Sequence, residues 1–190
     1  MPGARFFDAD QAARSLTAAD PQVRKEIADV FGQNLYSGEG NLNRAELRAI
    51  ILASEAKRRA LEQILHPRIR SQWSAEAKRY RDSSEFFFAD IPLLYETGGE
   101  TLCDRVVVVA CSAEVQLRRL LARRAPERGA GAATGLSELE AIEMIKTQMS
   151  IEEKVRRADH VIWNNDGQIV LEEQARDLVR LWTVTKWKVK

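Results

Sequence analysis

Cysteine is scarce in this chain: Cys103 and Cys111 are the only two among 190 residues. Two thiols are too few for a disulfide framework, and neither stands in a Cys/His spacing that would hold zinc, so a reducing compartment is the natural setting. Histidine is equally rare, with His66 and His160 alone, and no metal-ligating set is expected from the sequence. No apolar run approaches the ~18 residues that suggest a membrane-spanning helix. Met1-Pro2-Gly3-Ala4 lacks the charged and apolar regions of a signal peptide. These absences predict a soluble, cytoplasmic protein without a membrane partner. An excess of one charge is missing too: 29 Lys+Arg against 28 Asp+Glu leave a formal net charge of +1. That balance argues against a dedicated nucleic-acid binder, although it permits a local basic cleft.

What is present suits one globular domain. At 45% hydrophobic and 30% charged, the chain can bury a sizeable core. Phe86 to Ala89, Val106 to Ala110 and His160 to Trp163 are continuously apolar, which reads as buried parallel strands, and Arg5 to Phe7 makes a shorter fourth. Helical patterns lie between them, so the fold class is α/β with crossovers. Pro21 to Arg81 contains helices and no convincing strand. Pro21 opens one that should end at Gly32, Asn43 with Glu46 begins another, and Pro67 fits the first turn of a third whose Ile69, Trp73 and Ala77 share a face. Ser112 is a helix N-cap, Ser137 with Glu140 and Ser150 with Glu153 have capping-box spacing, and a last helix follows the turn at Asn164-Asn165-Asp166-Gly167. Between Ala125 and Gly135 an Ala/Gly-rich segment separates two basic helices.

Several side chains are placed for chemistry. Arg5-Phe6-Phe7-Asp8-Ala9-Asp10 ends a strand in two carboxylates, and open α/β sheets bind ligands at the carboxyl ends of their strands. Asp10 has two readings, a helix N-cap or a general base for a hydroxyl nucleophile. Asp90 follows the most hydrophobic strand and likewise reads either as a cap or as an acid beside a nucleotide's metal. Pro92 stops the ladder just beyond it. Arg119 and Arg123 lie one turn apart on a helix, with Lys154, Arg156 and Arg157 beyond the glycine-rich segment. They form either a solvated surface balanced by nearby glutamates or a hinged flap whose guanidinium groups fork onto phosphate. His66 before Pro67 reads as a polar group at a helix start. The asparagine turn is by default a turn, able to offer amide hydrogen bonds to a base edge.

The order of these pieces resembles the dephospho-coenzyme A kinase family of P-loop kinases, over nearly the whole chain. Asp8-Ala9-Asp10 with Ala13-Arg14 is similar to the family's second strand and helix start, and Leu65-His66-Pro67 to its substrate-side helical motif. Asp90-Ile91-Pro92-Leu93-Leu94-Tyr95-Glu96-Thr97-Gly98 resembles the segment after the third strand. Asp104 to Val109 followed by Gln116-Leu117-Arg118-Arg119 and Arg123 resembles the fourth strand and first lid arm; Gln148, Lys154, Ala158-Asp159 and Ile162 to Asn164 resemble the second arm and final strand. The resemblance implies a three-layer parallel sheet with core 1–20, 84–115 and 158–190, a helical coenzyme-binding insertion 21–83 and a lid 116–157. It implies transfer of the ATP γ-phosphoryl group, with Mg2+, to the ribose 3′-hydroxyl of dephospho-coenzyme A. Asp10 would be the base, with Arg119 and Arg123 giving positive charge. Asp8, Arg14, His66, Asp90, Leu93 and Glu96 would meet the substrate, and Lys154 and Asn164 would join the two arginines on ATP.

One family piece is not in the sequence. The 190 residues contain no G-x-x-x-x-G-K-[ST] run, the loop whose backbone N–H groups cradle phosphates. The resemblance therefore implies a sheet without its central first strand, two apolar edges open to self-association, and a polypeptide with little turnover. The expected outcome between the strands at Phe86 and Val106 is a gap, a strained direct pairing, or a strand added by another chain. Two other functions compete: a non-catalytic relative that binds coenzyme or a protein, and a kinase for another nucleoside monophosphate.

Overall fold

The computed structural model describes residues 4–81, 83, 85–122 and 137–184. Four strands and eight α-helices are formed by them, and all strand ladders are parallel. The chain divides into two compact units, Met1–Thr97 and Gly98–Lys190.

In the first unit, β1 (Ala4–Asp8) pairs with β2 (Phe86–Asp90) in a register that sets Phe6 beside Phe88 and Asp8 beside Asp90. Helices α1 (Ala9–Ala19), α2 (Pro21–Phe31), α3 (Arg44–Ala53) and α4 (Glu55–Tyr80) fill the sequence between the two strands. Polar side chains fix their starts. Asp20 accepts from the N–H groups of Gln22 and Val23, Asn43 accepts from Glu46, and Ser54 accepts from Lys57. Gly32 ends α2 at a φ of 111°, as the sequence predicts for a residue without Cβ. Val23, Ile27 and Leu35 are the most completely buried large side chains, so the core of this unit lies among the helices.

The helix expected to begin at Pro67 instead runs without interruption through it. Pro67 stands inside the 26-residue α4, where the missing N–H leaves one carbonyl of the helix without its usual donor. Ile64 and Leu65 before the proline and Ile69 and Trp73 after it are all buried. Packing on both sides of Pro67 therefore holds α4 together, against α1, α2, α3 and β2.

In the second unit, β3 (Val107–Ala110) pairs with β4 (His160–Trp163). Asp159 anchors the start of that pair, its carboxylate accepting from the Val106 N–H at 2.8 Å. The sequence's helix starts are present: Ser112 caps α5 (Ala113–Ala122), Ser137 and Glu140 form a complete capping box on α6 (Glu138–Lys146), and Ser150 caps α7 (Ile151–Arg157). The last helix, α8 (Gln168–Val184), follows the asparagine turn, and its buried Trp182 donates from Nε1 to His160 Nε2 at 3.2 Å. The segment from Ala125 to Gly135 lies outside the described residues.

Among the described residues, strand ladders form only within each pair, β1–β2 and β3–β4. The expectation that every strand is buried is not met, because Phe6 is 73% and Val109 58% exposed. Tyr80 of α4 stacks on Phe87 on one face of β2, whereas Phe6 and Phe88 stack on each other on the opposite face, at 5.3 Å between ring centroids.

Candidate active site

Asp8 and Asp90 end neighbouring parallel strands, so their carboxylates emerge side by side where the chain leaves the sheet. Asp8 rather than Asp10 is the helix cap: its Oδ1 accepts from the Gln11 N–H at 2.9 Å. The helix begins earlier than the sequence suggests, which settles the capping alternative for Asp10. That residue stands exposed in the first turn of α1, where the helix dipole favours its charge. Neither the Asp10 nor the Asp90 carboxylate accepts a hydrogen bond from the described residues.

Three carboxylates share this end of the pair, and their mutual repulsion has a consequence. Burial, then the charges of Asp8 and Asp10, push the Asp90 carboxyl above its ordinary range. An acid raised in the folded state binds its proton more tightly there, so its contribution to stability falls as pH rises from the unfolded through the folded pKa. Asp90→Asn is therefore expected to raise the thermal midpoint near pH 7 and to leave it unchanged near pH ~3, where unfolded aspartates are already protonated. Thermal melts at the two pH values check this; an equal gain at both would mean that charge is not the cause.

Arg14 lies one turn along α1 from Asp10, with an exposed side chain and a backbone carbonyl that accepts from the Thr17 hydroxyl. His66 is half-buried on α4, and burial lowers its pKa against the opposing pull of Glu62. It sits mid-helix, so the reading of a polar group at a helix start does not hold. The turn after β2 is tied to α4: Arg70 Nη1 donates to the Thr97 carbonyl at 3.0 Å, and the Thr97 hydroxyl donates to the Leu93 carbonyl at 2.8 Å. Leu93 is thereby fixed half-buried, and Glu96 is exposed on the same turn.

The second unit brings Arg119 and Asn164 together. Arg119 Nη1 donates to the Asn164 carbonyl at 2.6 Å, while the Asn164 N–H donates to the Ala110 carbonyl at 2.7 Å. Arg119 is thus coupled to the turn that ends β4. Lys154 is half-buried on α7. Arg123 lies outside the described residues. Cys103 is half-buried, and burial with nearby carboxylates pushes its thiol up to about 11, which makes it a poor nucleophile.

Two contacts at this turn were not legible in the sequence. Asn165 Oδ1 accepts from the Ser112 N–H at 2.7 Å, so the asparagine turn holds the start of α5. The Gln174 carboxamide meets both backbone groups of Trp163, accepting from the N–H at 2.9 Å and donating to the carbonyl at 2.8 Å. The only sequence signal was a glutamine nearly two helix turns and a short loop beyond an apolar strand, and that pattern has many other meanings.

Residues 2–170 match the family model described as dephospho-CoA kinase. The chain belongs to the dephospho-CoA kinase family. It is 35% identical over 185 residues to the dephospho-CoA kinase of Listeria monocytogenes, covering 97% of this chain and 88% of the relative. With that of Corynebacterium diphtheriae it shares 41% over 177 residues, covering 93% and 84%. The fold is that of the P-loop kinases: a dephospho-CoA kinase structure from Campylobacter jejuni superposes with a TM-score of 0.67 at 24% identity, over 97% of this chain and 88% of that one. A Thermus thermophilus crystal structure gives 0.68 at 27% identity, over 94% and 84%. Dephospho-CoA kinases are transferases, and the chain's enzyme class follows from its family. Among the described residues, no helix is long and apolar enough to cross a membrane.

Proposed function

We propose that this protein serves the transfer of the ATP γ-phosphoryl group to the ribose 3′-hydroxyl of dephospho-coenzyme A. The observation that carries the reading is the set of carboxylates at the ends of β1 and β2, one of which, Asp10, is left without a capping duty. A general base must be near its hydroxyl and must not be spent on structure. Asp10 would accept the hydroxyl proton, and Asp8, Arg14, His66, Asp90, Leu93 and Glu96 would bound the acceptor. Arg119, with Arg123, would lay positive charge on the transferring phosphate, and Lys154 and Asn164 would lie along the nucleotide.

Magnesium is the implied metal. Among the described residues, no group of three or more ligating side chains forms a ready site. Magnesium needs only one or two carboxylates besides substrate phosphates, and Asp90, whose proton affinity is raised by burial and then by its acidic neighbours, has the hard oxygen donors that suit it. When bound, the ion would neutralise phosphate charge. A cytoplasmic setting accompanies this reading.

A second reading is favoured by a specific feature, the absence of any G-x-x-x-x-G-K-[ST] run from the 190 residues. On that reading the polypeptide binds coenzyme and turns over little. Calorimetry with three acceptors tests the substrate class: dephospho-coenzyme A is expected to bind, with adenosine and uridine monophosphates at least about tenfold weaker, since fold alone does not set the acceptor. Tighter binding of either monophosphate would replace the proposed acceptor.

A further inference from the structure

Several charged side chains of the first unit are paired or serve as caps. Lys25 pairs with Asp29, Arg59 with Glu55, and Arg68 with Glu26 at 2.7 Å. Arg24 and Arg44 differ. Both are half-buried, and among the described residues no carboxylate stands within ion-pair distance of either guanidinium. The acids nearest in sequence are engaged elsewhere: Glu26 pairs with Arg68, Asp20 caps α2, Glu39 accepts from the Asn41 amide and Glu46 from the Asn43 amide.

The two cations are nevertheless held in place. The Arg24 guanidinium lies over the Tyr36 ring at 5.1 Å, and Gly40, at a φ of 82°, gives it room: a Cβ there would stand 2.4 Å from Arg24 Nη2. The Tyr36 hydroxyl donates to the Thr17 carbonyl at 3.1 Å. Arg44 Nη2 reaches the same residue, donating to the Thr17 hydroxyl at 3.3 Å. Arg24 and Arg44 therefore flank one tyrosine, and both act electrostatically on its phenol, drawing its pKa down against the larger effect of burial. The loop between α2 and α3 is built to hold them, with Gly40 N–H on the Ser37 carbonyl, Asn43 N–H on the Leu35 carbonyl, and Leu35 itself buried.

Two partly desolvated guanidinium groups, fixed by an aromatic ring, a hydroxyl and a glycine, keep most of their N–H donors for a ligand. Arginine's planar fork matches phosphate oxygens. We propose that Arg24 and Arg44 form a phosphate-binding pair, and that its ligand is the diphosphate of the acceptor; the identity of that acceptor rests on the function proposed above, but the anion site does not.

Inorganic pyrophosphate and dephospho-coenzyme A are the two probes. In the wild-type protein, titration with either is expected to shift the Nε–Hε resonances of Arg24 and Arg44, a measurement that needs no variant to fold. By calorimetry, Arg24→Gln and Arg44→Gln should each weaken both ligands at least about tenfold, as loss of a charge-assisted hydrogen bond does. Arg24→Lys should recover part of the affinity, and Arg59→Gln should change nothing. Unmoved resonances with both probes, or affinities within twofold in both glutamine variants, would overturn the pair. Full dephospho-coenzyme A affinity in those variants would remove the pair and leave the kinase reading intact. Pyrophosphate binding that depends on both arginines, with no binding of dephospho-coenzyme A, would keep the site and remove the substrate.

Discussion

The 190-residue polypeptide, supplied with ATP, magnesium and dephospho-coenzyme A, is expected to form product at least about 10³-fold more slowly than the Corynebacterium diphtheriae relative under the same conditions. The magnitude follows from the reaction. Phosphoryl transfer depends chiefly on positioning and on charge stabilisation, and a single arginine finger changes its rate by roughly 10³ to 10⁵. The sequence contains no G-x-x-x-x-G-K-[ST] run, and such a loop contributes several backbone donors, a lysine and a magnesium-bound hydroxyl together. Asp10 and Arg119, in the roles proposed for them, would not replace it. Acceptor binding should survive, because the residues proposed for it belong to β1, β2, the turn after β2 and helices α1 to α4. Release of ADP, read beside dephospho-coenzyme A calorimetry on the same sample, checks both halves. Turnover within tenfold of the relative would defeat the prediction and require another group to hold the phosphates.

Trp73→Ala should cost about 3 to 5 kcal/mol of folding stability, the usual range for removing a buried aromatic side chain. Trp73 is only 4% exposed and stands beyond Pro67 in α4, so its packing helps hold the proline-containing helix to its neighbours. Urea unfolding of the first unit's signal gives the measurement. Leu139→Ala is the comparison, since Leu139 is 76% exposed and surface substitutions usually stay within about 0.5 kcal/mol. A loss below about 1 kcal/mol at Trp73 would mean that the far half of α4 contributes little to the unit.

The helix caps show which parts of the structure could be read from sequence. Asn43, Ser112, Ser137 and Ser150 bond to backbone groups three residues away, so the interaction is contained in a few letters of sequence. The same locality misled at Pro67, where proline's preference for a first turn was overridden by burial of Ile64, Leu65, Ile69 and Trp73 along one continuous helix. Asp10 was ambiguous for a similar reason: with Asp8 two residues before it, either could cap α1, and only the length of β1 decides. Arg24 and Arg44 carried no signal at all. Their neighbourhood depends on the fold of the loop between them and on Thr17, 27 residues from Arg44. Arg119 and Asn164 are 45 apart and meet only because β3 and β4 pair in parallel.

The Gln174 carboxamide has a consequence for how the β3–β4 pair ends. His160 and Asn164 direct their N–H groups to carbonyls of the β3 side, so the intervening Trp163 directs its own N–H and carbonyl outward. A primary amide carries a donor and an acceptor at nearly the spacing of a peptide group. Gln174 therefore stands in for a missing neighbour strand, and it does so from the helix that immediately follows β4. A backbone that pairs at Trp163 must first break two hydrogen bonds there, which closes that end of the border.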